Sequence, residues 1–263
     1  MSRWKGKWAL VTGASAGIGT ELARQLAAGG TNLVLSARRR DRLEQLAAEL
    51  SGKHGVKVEI CVADLGKPSA PNEICNFTET KRLTIDLLIN NAGFGIYGEF
   101  HKAPVARQLE MVQVNISAVV HLTHLYLAPM VARRSGDILI VASTAAFQPV
   151  PYITTYAATK AFDLLFAEGL AEEVARYGVR VCALCPGTTN TEFQQVAGQP
   201  ERLFRVAETA EKVTRVGLRA LERGKSHVIS GWMNYLQTNG ERLSPRRIVA
   251  RMAARLFRPS DLA

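Results

Sequence analysis

TGASAGIG, residues Thr12 to Gly19, is the stretch on which the fold turns. It follows an apolar run, WALVTG, that reads as a strand, and it opens IGTELARQLAAGG, which reads as a helix stopped by Gly29 and Gly30. Glycines between strand and helix permit a tight turn, and the free N–H groups of the helix start can receive a pyrophosphate. Outward from this point the alternation continues. Strands are expected at TNLVLSARR, VKVEICVAD, IDLLINNAG, GDILIVAS, VRVCALCPG and SHVIS. Helices are expected at RRDRLEQLAAEL and near residues 104–134, 155–177 and 208–223, with a short one between Asp64 and Leu87 confined by Pro68 and Pro71. Strands alternating with helices predict an α/β fold: a single doubly wound, Rossmann-type parallel sheet with helices on both faces.

The composition fits such a domain. Apolar residues make up 47% of the 263 and charged residues 21%, a soluble globular profile. No stretch approaches the roughly 18 uninterrupted apolar residues of a membrane span. MSRWKGKWALVTG lacks the apolar run and cleavage site of a signal peptide, so a cytoplasmic location is expected. Four cysteines agree with a reducing compartment. Cys182 and Cys185 form a CxxC, but on a buried strand residues three apart point to opposite faces, and no His pair or second CxxC completes a metal set. They read as core residues. The net charge of +10 is uneven, because residues 242 to 258 hold six arginines and no acid.

YAATK places Tyr156 and Lys160 four residues apart, one turn apart on one helix face. A free phenol titrates near pH 10 and shuttles protons poorly at neutrality. A unit charge about 4 Å away at an effective dielectric near 20 is worth roughly 4 kcal/mol, or about three pKa units. The pair is either a tuned acid/base or an exposed helix pair without chemistry.

The glycine spacing T-G-x-x-x-G-x-G resembles that of the short-chain dehydrogenase/reductase family, and further motifs follow in the family's order. NNAG (Asn90 to Gly93), Asn115 in VQVNISAV, Ser143 in IVAS, the Tyr156–Lys160 pair and PGTTNTEF match in order and spacing, over about residues 6 to 231. The resemblance implies hydride transfer between a nicotinamide and a carbonyl or secondary alcohol. It casts Tyr156 as general acid/base and Ser143 as the group orienting the carbonyl. Lys160 would lower the tyrosine pKa and bind ribose, and Asn115 would kink its helix and support a proton relay. Gly13, Gly17, Ile18 and Gly19 would line the pyrophosphate turn. Asp64, with Leu65 beside it, would meet the adenine, Asn91 the adenosine ribose side, and Thr189 and Thr191 the carboxamide.

The cofactor form is read at the end of the second strand, Ser36-Ala37-Arg38-Arg39. An acid that would grip a ribose 2′-OH is missing there, while Arg38, Arg39 and Ser15 suit a 2′-phosphate, so NADP (NADPH) is expected. Arginines at a helix start otherwise oppose its dipole. Apolar and aromatic residues of the loops after the strands, chiefly Phe94, Phe147, Tyr152 and Phe193 and also Ile96, Tyr97, Pro149, Leu203 and Phe204, are candidates for a hydrophobic substrate.

The domain is expected to span residues 1–241, with a substrate loop near 188–208 of which 190–207 form a mobile lid, and residues 242–263 to form a basic amphipathic extension. From Pro245 to Phe257 that extension reads as a helix with Ile248, Val249, Met252, Ala253, Leu256 and Phe257 on one side and Arg247, Arg251 and Arg255 on another. Packing on its own domain or on a dimer partner is the plainer expectation, with an acidic partner or a membrane surface as the alternative. Nucleic acid is not expected, since no aromatic residues interleave the arginines. A homodimer through the helices near 104–134 and 155–177 is expected. The function read here is an NADP-dependent carbonyl reductase or alcohol dehydrogenase acting on a hydrophobic substrate; the alternatives are a 3-oxoacyl (fatty acyl) reductase and a non-catalytic NADP-sensing protein.

Overall fold

A computed structural model describes residues 3–203 and 207–259. Phe204 and residues 260–263 lie outside the described residues, as do the side chains of Arg202 and Arg242. The chain runs β1 (Trp8–Thr12), α1 (Gly17–Ala28), β2 (Asn32–Ala37), α2 (Arg40–His54), β3 (Val58–Val62), α3 (Ala70–Thr80) and β4 (Ile85–Asn90). It continues through α4 (Val105–Val112), α5 (Ala118–Ala132), β5 (Gly136–Val141), α6 (Thr154–Val174), β6 (Val179–Cys185) and α7 (Phe193–Ala197). The last elements are α8 (Ala210–Glu222), β7 (His227–Ile229), α9 (Trp232–Arg242) and α10 (Arg246–Phe257).

Seven strands form one parallel sheet in the order β3-β2-β1-β4-β5-β6-β7. Parallel strands covered on both sides are apolar on both faces, and all six residues of β5 are buried. Alternate residues feed two cores. Val11, Leu35, Ile89, Leu139 and Leu184 meet α1, α2 and α8, whereas Leu10, Val34, Leu88, Ile138 and Ile140 meet α3, α5 and α6. Cys182 falls in the first core and Cys185 in the second, so the CxxC splits across the sheet as expected. Burial pushes both thiols up, Cys182 to about 12. The strand order reverses between β1 and β4, which opens a crevice at their carboxyl ends.

Three departures from the sequence expectation matter. The helix expected over 104–134 is interrupted by a π-helical turn, Gln113–Ser117, between α4 and α5. By length and composition Val105–Ala132 could cross a membrane, but Leu122, Tyr126 and Met130 are packed in the second core. Second, α9 was not anticipated, because WMNYLQTNGER contains Gly240 and two asparagines, weak helix formers. Third, the six-residue apolar side of α10 divides. Val249 and Ala253 are buried and Phe257 half-buried, while Ile248, Met252 and Leu256 are exposed. At helical spacing these are two adjacent stripes, and only one reaches the domain.

The N-terminal segment is tied to the opposite end of the sheet from the crevice. Trp4 is fully buried, and its Nε1 donates to Asp137 Oδ2 at 2.8 Å. Arg3 Nε donates to the same oxygen at 2.8 Å.

Candidate active site

The crevice is a cavity of about 440 Å³, lined from β1 to β6 and by α10. At its phosphate end Gly13 and Gly17 have φ of +65° and +56°, which side chains rarely adopt. A Cβ on Gly19 would fall 2.3 Å from the Gly13 carbonyl oxygen, so only glycine lets α1 start this close to the turn. Asn91 fixes the turn, donating from Nδ2 to the Thr12 carbonyl at 2.8 Å. Its amide thus holds protein backbone while the residue lines the cavity. Helix α1 begins with no side-chain cap and no acid in its first turn, and Ala16, Gly17 and Ile18 line the cavity. Uncapped N–H groups at a helix start fit a pyrophosphate.

Ser15, Arg38, Arg39, Asp64 and Leu65 line the same end. Ser36 and Ala37 close β2 without an acid, as read from the sequence. Arg39 Nε donates to Ser15 Oγ at 3.2 Å, and its Nη1 pairs with Glu192 at 3.0 Å. Arg42 also pairs with Glu192, at 2.6 Å. These two arginines hold the Glu192 carboxyl below the usual carboxylate range. Asp64 Oδ1 accepts from Gly66 N–H at 3.1 Å. The donor set, a glycine cradle beside a hydroxyl and two guanidiniums, fits a phosphorylated dinucleotide.

At the other end Ser143, Tyr156 and Lys160 meet. Ser143 follows β5 in extended backbone, and its Oγ accepts from Ala145 N–H at 3.1 Å. Tyr156 and Lys160 stand one turn apart on α6, with the ammonium 5.9 Å from the ring centre. The net effect on the phenol differs from the sequence expectation. Burial raises its pKa, and this outweighs the lowering by Lys160 and by a hydrogen bond with Ser143. The lysine pulls in the expected direction but does not win.

Burial is the main reason, and a residue the sequence reading passed over adds to it. Asp163, fully buried three residues after Lys160, accepts from Nζ at 2.9 Å. Nζ also donates to the Val141 carbonyl at 2.7 Å. Burial lowers the Lys160 pKa, but Asp163 and Tyr156 more than offset it and the net shift is upward. The same carboxylate raises the Tyr156 pKa against the lysine's pull. A lone acid inside the apolar run KAFDLLF is the signal that marks it in the sequence.

Asn115 is fully buried inside the π-helical turn, which is the kink expected at that position. Its Nδ2 donates to the Phe94 carbonyl and to Thr159 Oγ1, both at 3.0 Å, and its Oδ1 accepts from Phe94 N–H at 3.2 Å. It thus ties the loop after β4 to α6 behind the cavity. Thr189 and Thr191 line the cavity from the loop after β6. The Thr189 carbonyl accepts from Gln194 Nε2 at 2.8 Å, and the Thr191 hydroxyl accepts from Phe193 N–H at 3.3 Å. Glu208 closes the base of this loop, its N–H donating to the Thr188 carbonyl at 2.9 Å.

Of the substrate-side aromatics, Phe94 and Phe193 line the cavity, the latter with its ring 5.1 Å from that of Tyr156. Phe147 and Tyr152 do not. Phe147 turns into the core beside His227, and Tyr152 has φ +68° with its carbonyl accepting from Gly98 N–H. Nearness in sequence to Ser143 and Tyr156 does not set side-chain direction. Phe257 of α10 takes a place there instead, with its carbonyl accepting from Tyr97 Oη at 2.8 Å. No local pattern links Phe257 to Tyr156, some hundred residues upstream.

With this geometry in view, the relatives are informative. The family model for short chain dehydrogenase matches residues 7–202. A very-long-chain 3-oxoacyl-CoA reductase of Phaeosphaeria nodorum is 36% identical over 183 residues, 67% of this chain and 53% of that protein. The chain thus spans about half the length of that relative. A protein of the same name from Anas platyrhynchos is 32% identical over 239 residues, covering 87% of this chain and 75% of its own. Among solved structures, a short-chain dehydrogenase from Sphingobium yanoikuyae in complex with NADPH superposes with a TM-score of 0.82 at 30% identity, over 90% of this chain and 93% of that one. The doubly wound sheet, the glycine turn at its switch point and the match over residues 7–202 lead to one conclusion: the chain belongs to the short-chain dehydrogenase family.

Proposed function

We propose that the protein is an NADP-dependent oxidoreductase that interconverts a carbonyl and a secondary alcohol on a hydrophobic substrate. The observation that carries this reading is the meeting of Ser143, Tyr156 and Lys160 in one cavity with an uncapped helix start and its glycine cradle. The cofactor, when bound, supplies or accepts hydride. The turn from Gly13 to Gly19 would hold its pyrophosphate, Arg38, Arg39 and Ser15 its 2′-phosphate, Asp64 and Leu65 its adenine, and Lys160 its nicotinamide ribose. Thr189 and Thr191 would hold its carboxamide.

As negative charge grows on the carbonyl oxygen, the Tyr156 phenol donates its proton to it and the Ser143 hydroxyl holds it by a second hydrogen bond. A phenol raised by burial is protonated at neutral pH, the form that reduction needs. Lys160 supplies the field that limits that rise, and Asn115 anchors the loop and helix along which a proton is resupplied.

The substrate class favoured is a 3-oxoacyl thioester. Both quoted curated relatives carry that activity in their names, and Phe94, Phe193 and Phe257 offer an apolar wall. We also propose a cytoplasmic enzyme, in keeping with four free cysteines, and a homodimer through α4, α5 and α6.

Consumption of NADPH against a panel of 3-oxoacyl thioesters and bulky ketones, with NADH in parallel, tests the reading. The Tyr156→Phe variant should keep cofactor affinity and lose about 10²–10⁴-fold in turnover. Tight NADPH binding with no turnover of any compound would favour a cofactor-sensing protein instead.

A further inference from the structure

We propose that the face formed by α9 and α10 is a docking surface for an anionic lipid membrane. Eight of the fifteen exposed large apolar side chains among the described residues fall between Trp232 and Leu256. Trp232 is 70% exposed and Leu243 90%. They are not scattered. On α9, Trp232 and Leu236 are one turn apart, and Leu243 returns to the same azimuth seven residues on.

On α10 three stripes run side by side at i, i+4, i+8 spacing. Val249, Ala253 and Phe257 face the domain; Ile248, Met252 and Leu256 form the next stripe, in solvent; Arg247, Arg251 and Arg255 form the third. Since Ala253 turns inward, the outward stripe is wholly of bulky residues. The three arginines are exposed, and none forms an ion pair among the described residues. No acid occurs from residue 242 to 258.

An apolar stripe flanked by arginines on α10, with Trp232 and Tyr235 exposed on α9, the helix it touches, matches a lipid interface: the apolar groups enter the acyl boundary and the guanidiniums reach phosphates. Charge argues against a second copy, because a two-fold contact would set one arginine stripe against another. An acidic protein would use the arginines but leave the Trp232–Leu236–Leu243 stripe without a role. The same helix supplies a cavity wall through Phe257, so docking would bring the cavity up to the lipid. That an acyl substrate arrives by this route rests on the reductase reading; docking itself does not.

Flotation of the full chain with vesicles of phosphatidylcholine, alone or mixed with phosphatidylglycerol, tests the proposal, read together with tryptophan emission. Trp4 is buried and Trp8 half-buried, which leaves Trp232 as the solvent-exposed reporter. The expected result is flotation with anionic vesicles only, weakened by salt, with a blue shift that Trp232→Phe abolishes. The triple variant Arg247→Gln, Arg251→Gln, Arg255→Gln should lose at least about tenfold in partitioning, with NADPH affinity unchanged as evidence of folding. The proposal is overturned if neither vesicle binds, or if the triple variant floats like the parent. It is equally overturned if vesicles are ignored while Met252→Glu dissolves a self-association or an acidic carrier protein binds in their place. An inactive panel of carbonyl compounds would bear on the reductase reading and leave this result untouched.

Discussion

At the scale of single residues, the chemistry of the site is governed by three groups on one helix face. Tyr156, Lys160 and Asp163 form an alternating set of phenol, cation and anion, and Asp163 acts on the other two at once. Its negative charge raises the phenol, so removing it moves the phenol pKa down. Reduction needs the protonated phenol, and its rate falls as pH rises through that pKa. In Asp163→Asn this alkaline fall should come at lower pH than in the parent, while oxidation, which needs the phenolate, should gain rate at lower pH. Paired pH profiles of the two directions check it, and a shift of both limbs upward would refute the assignment. The amide still accepts from Nζ, so the stability loss should be modest, about 1–3 kcal/mol. Ser143, Tyr156, Lys160 and Asn115 could all be picked out in the sequence because their motifs follow one another in the order and spacing of the family that the chain resembles. Asp163 could not be assigned a role there. A single acid on a helix is ordinarily solvated, and only the packing of α6 against β6 and β5 makes this one a counter-ion in the core.

At the scale of elements, strand positions were legible because buried parallel strands are apolar runs bounded by glycine and polar turns, as in GDILIVAS. Helix interruptions were harder. The π-helical turn at Gln113–Ser117 has no composition of its own; only a kink at Asn115 is expected there, from its resemblance to a family position. Packing direction was hardest, as Phe147 and Phe257 show: one turns into the core and the other into the cavity. The tie between the N-terminal segment and β5 was equally invisible, since it joins residues 133 positions apart. Asp137 is 2% exposed and meets both the Trp4 indole and the Arg3 guanidinium. Substituting Asp137→Ala strands a buried donor and should destabilise by about 3–5 kcal/mol. In urea this should appear as a lower midpoint at constant slope. Because the tie sits at the opposite end of the sheet from the cavity, NADPH affinity of the folded variant should be unchanged. A loss of affinity would mean that β5 transmits the strain to Ser143.

At the scale of the whole molecule, exposed apolar side chains occur away from α9 and α10 as well. Leu109 of α4 and Leu165 of α6 are 62% and 68% exposed, on the helices proposed to pair two copies. Leu165→Arg should therefore convert a dimer to a monomer in analytical ultracentrifugation, and an unchanged sedimentation coefficient would move the dimer elsewhere. Across the crevice, Glu192 reaches from the loop after β6 to Arg39 and Arg42 on the β2 side, joining the two halves of the fold over the switch point. The protein thus carries its own rival for the proposed 2′-phosphate: a tethered carboxylate, at an effective concentration on the order of millimolar, already seated on Arg39, one of the two arginines that phosphate would use. Exchange of cofactor then becomes a displacement, in which one anion leaves as another arrives and the freed loop can follow. Glu192→Gln should tighten NADPH a few-fold, the worth of exposed ion pairs at about 0.2–1 kcal/mol each, and leave NADH unmoved. Equal gains for both nucleotides would mean that the loop gates entry as a whole and does not compete for the phosphate.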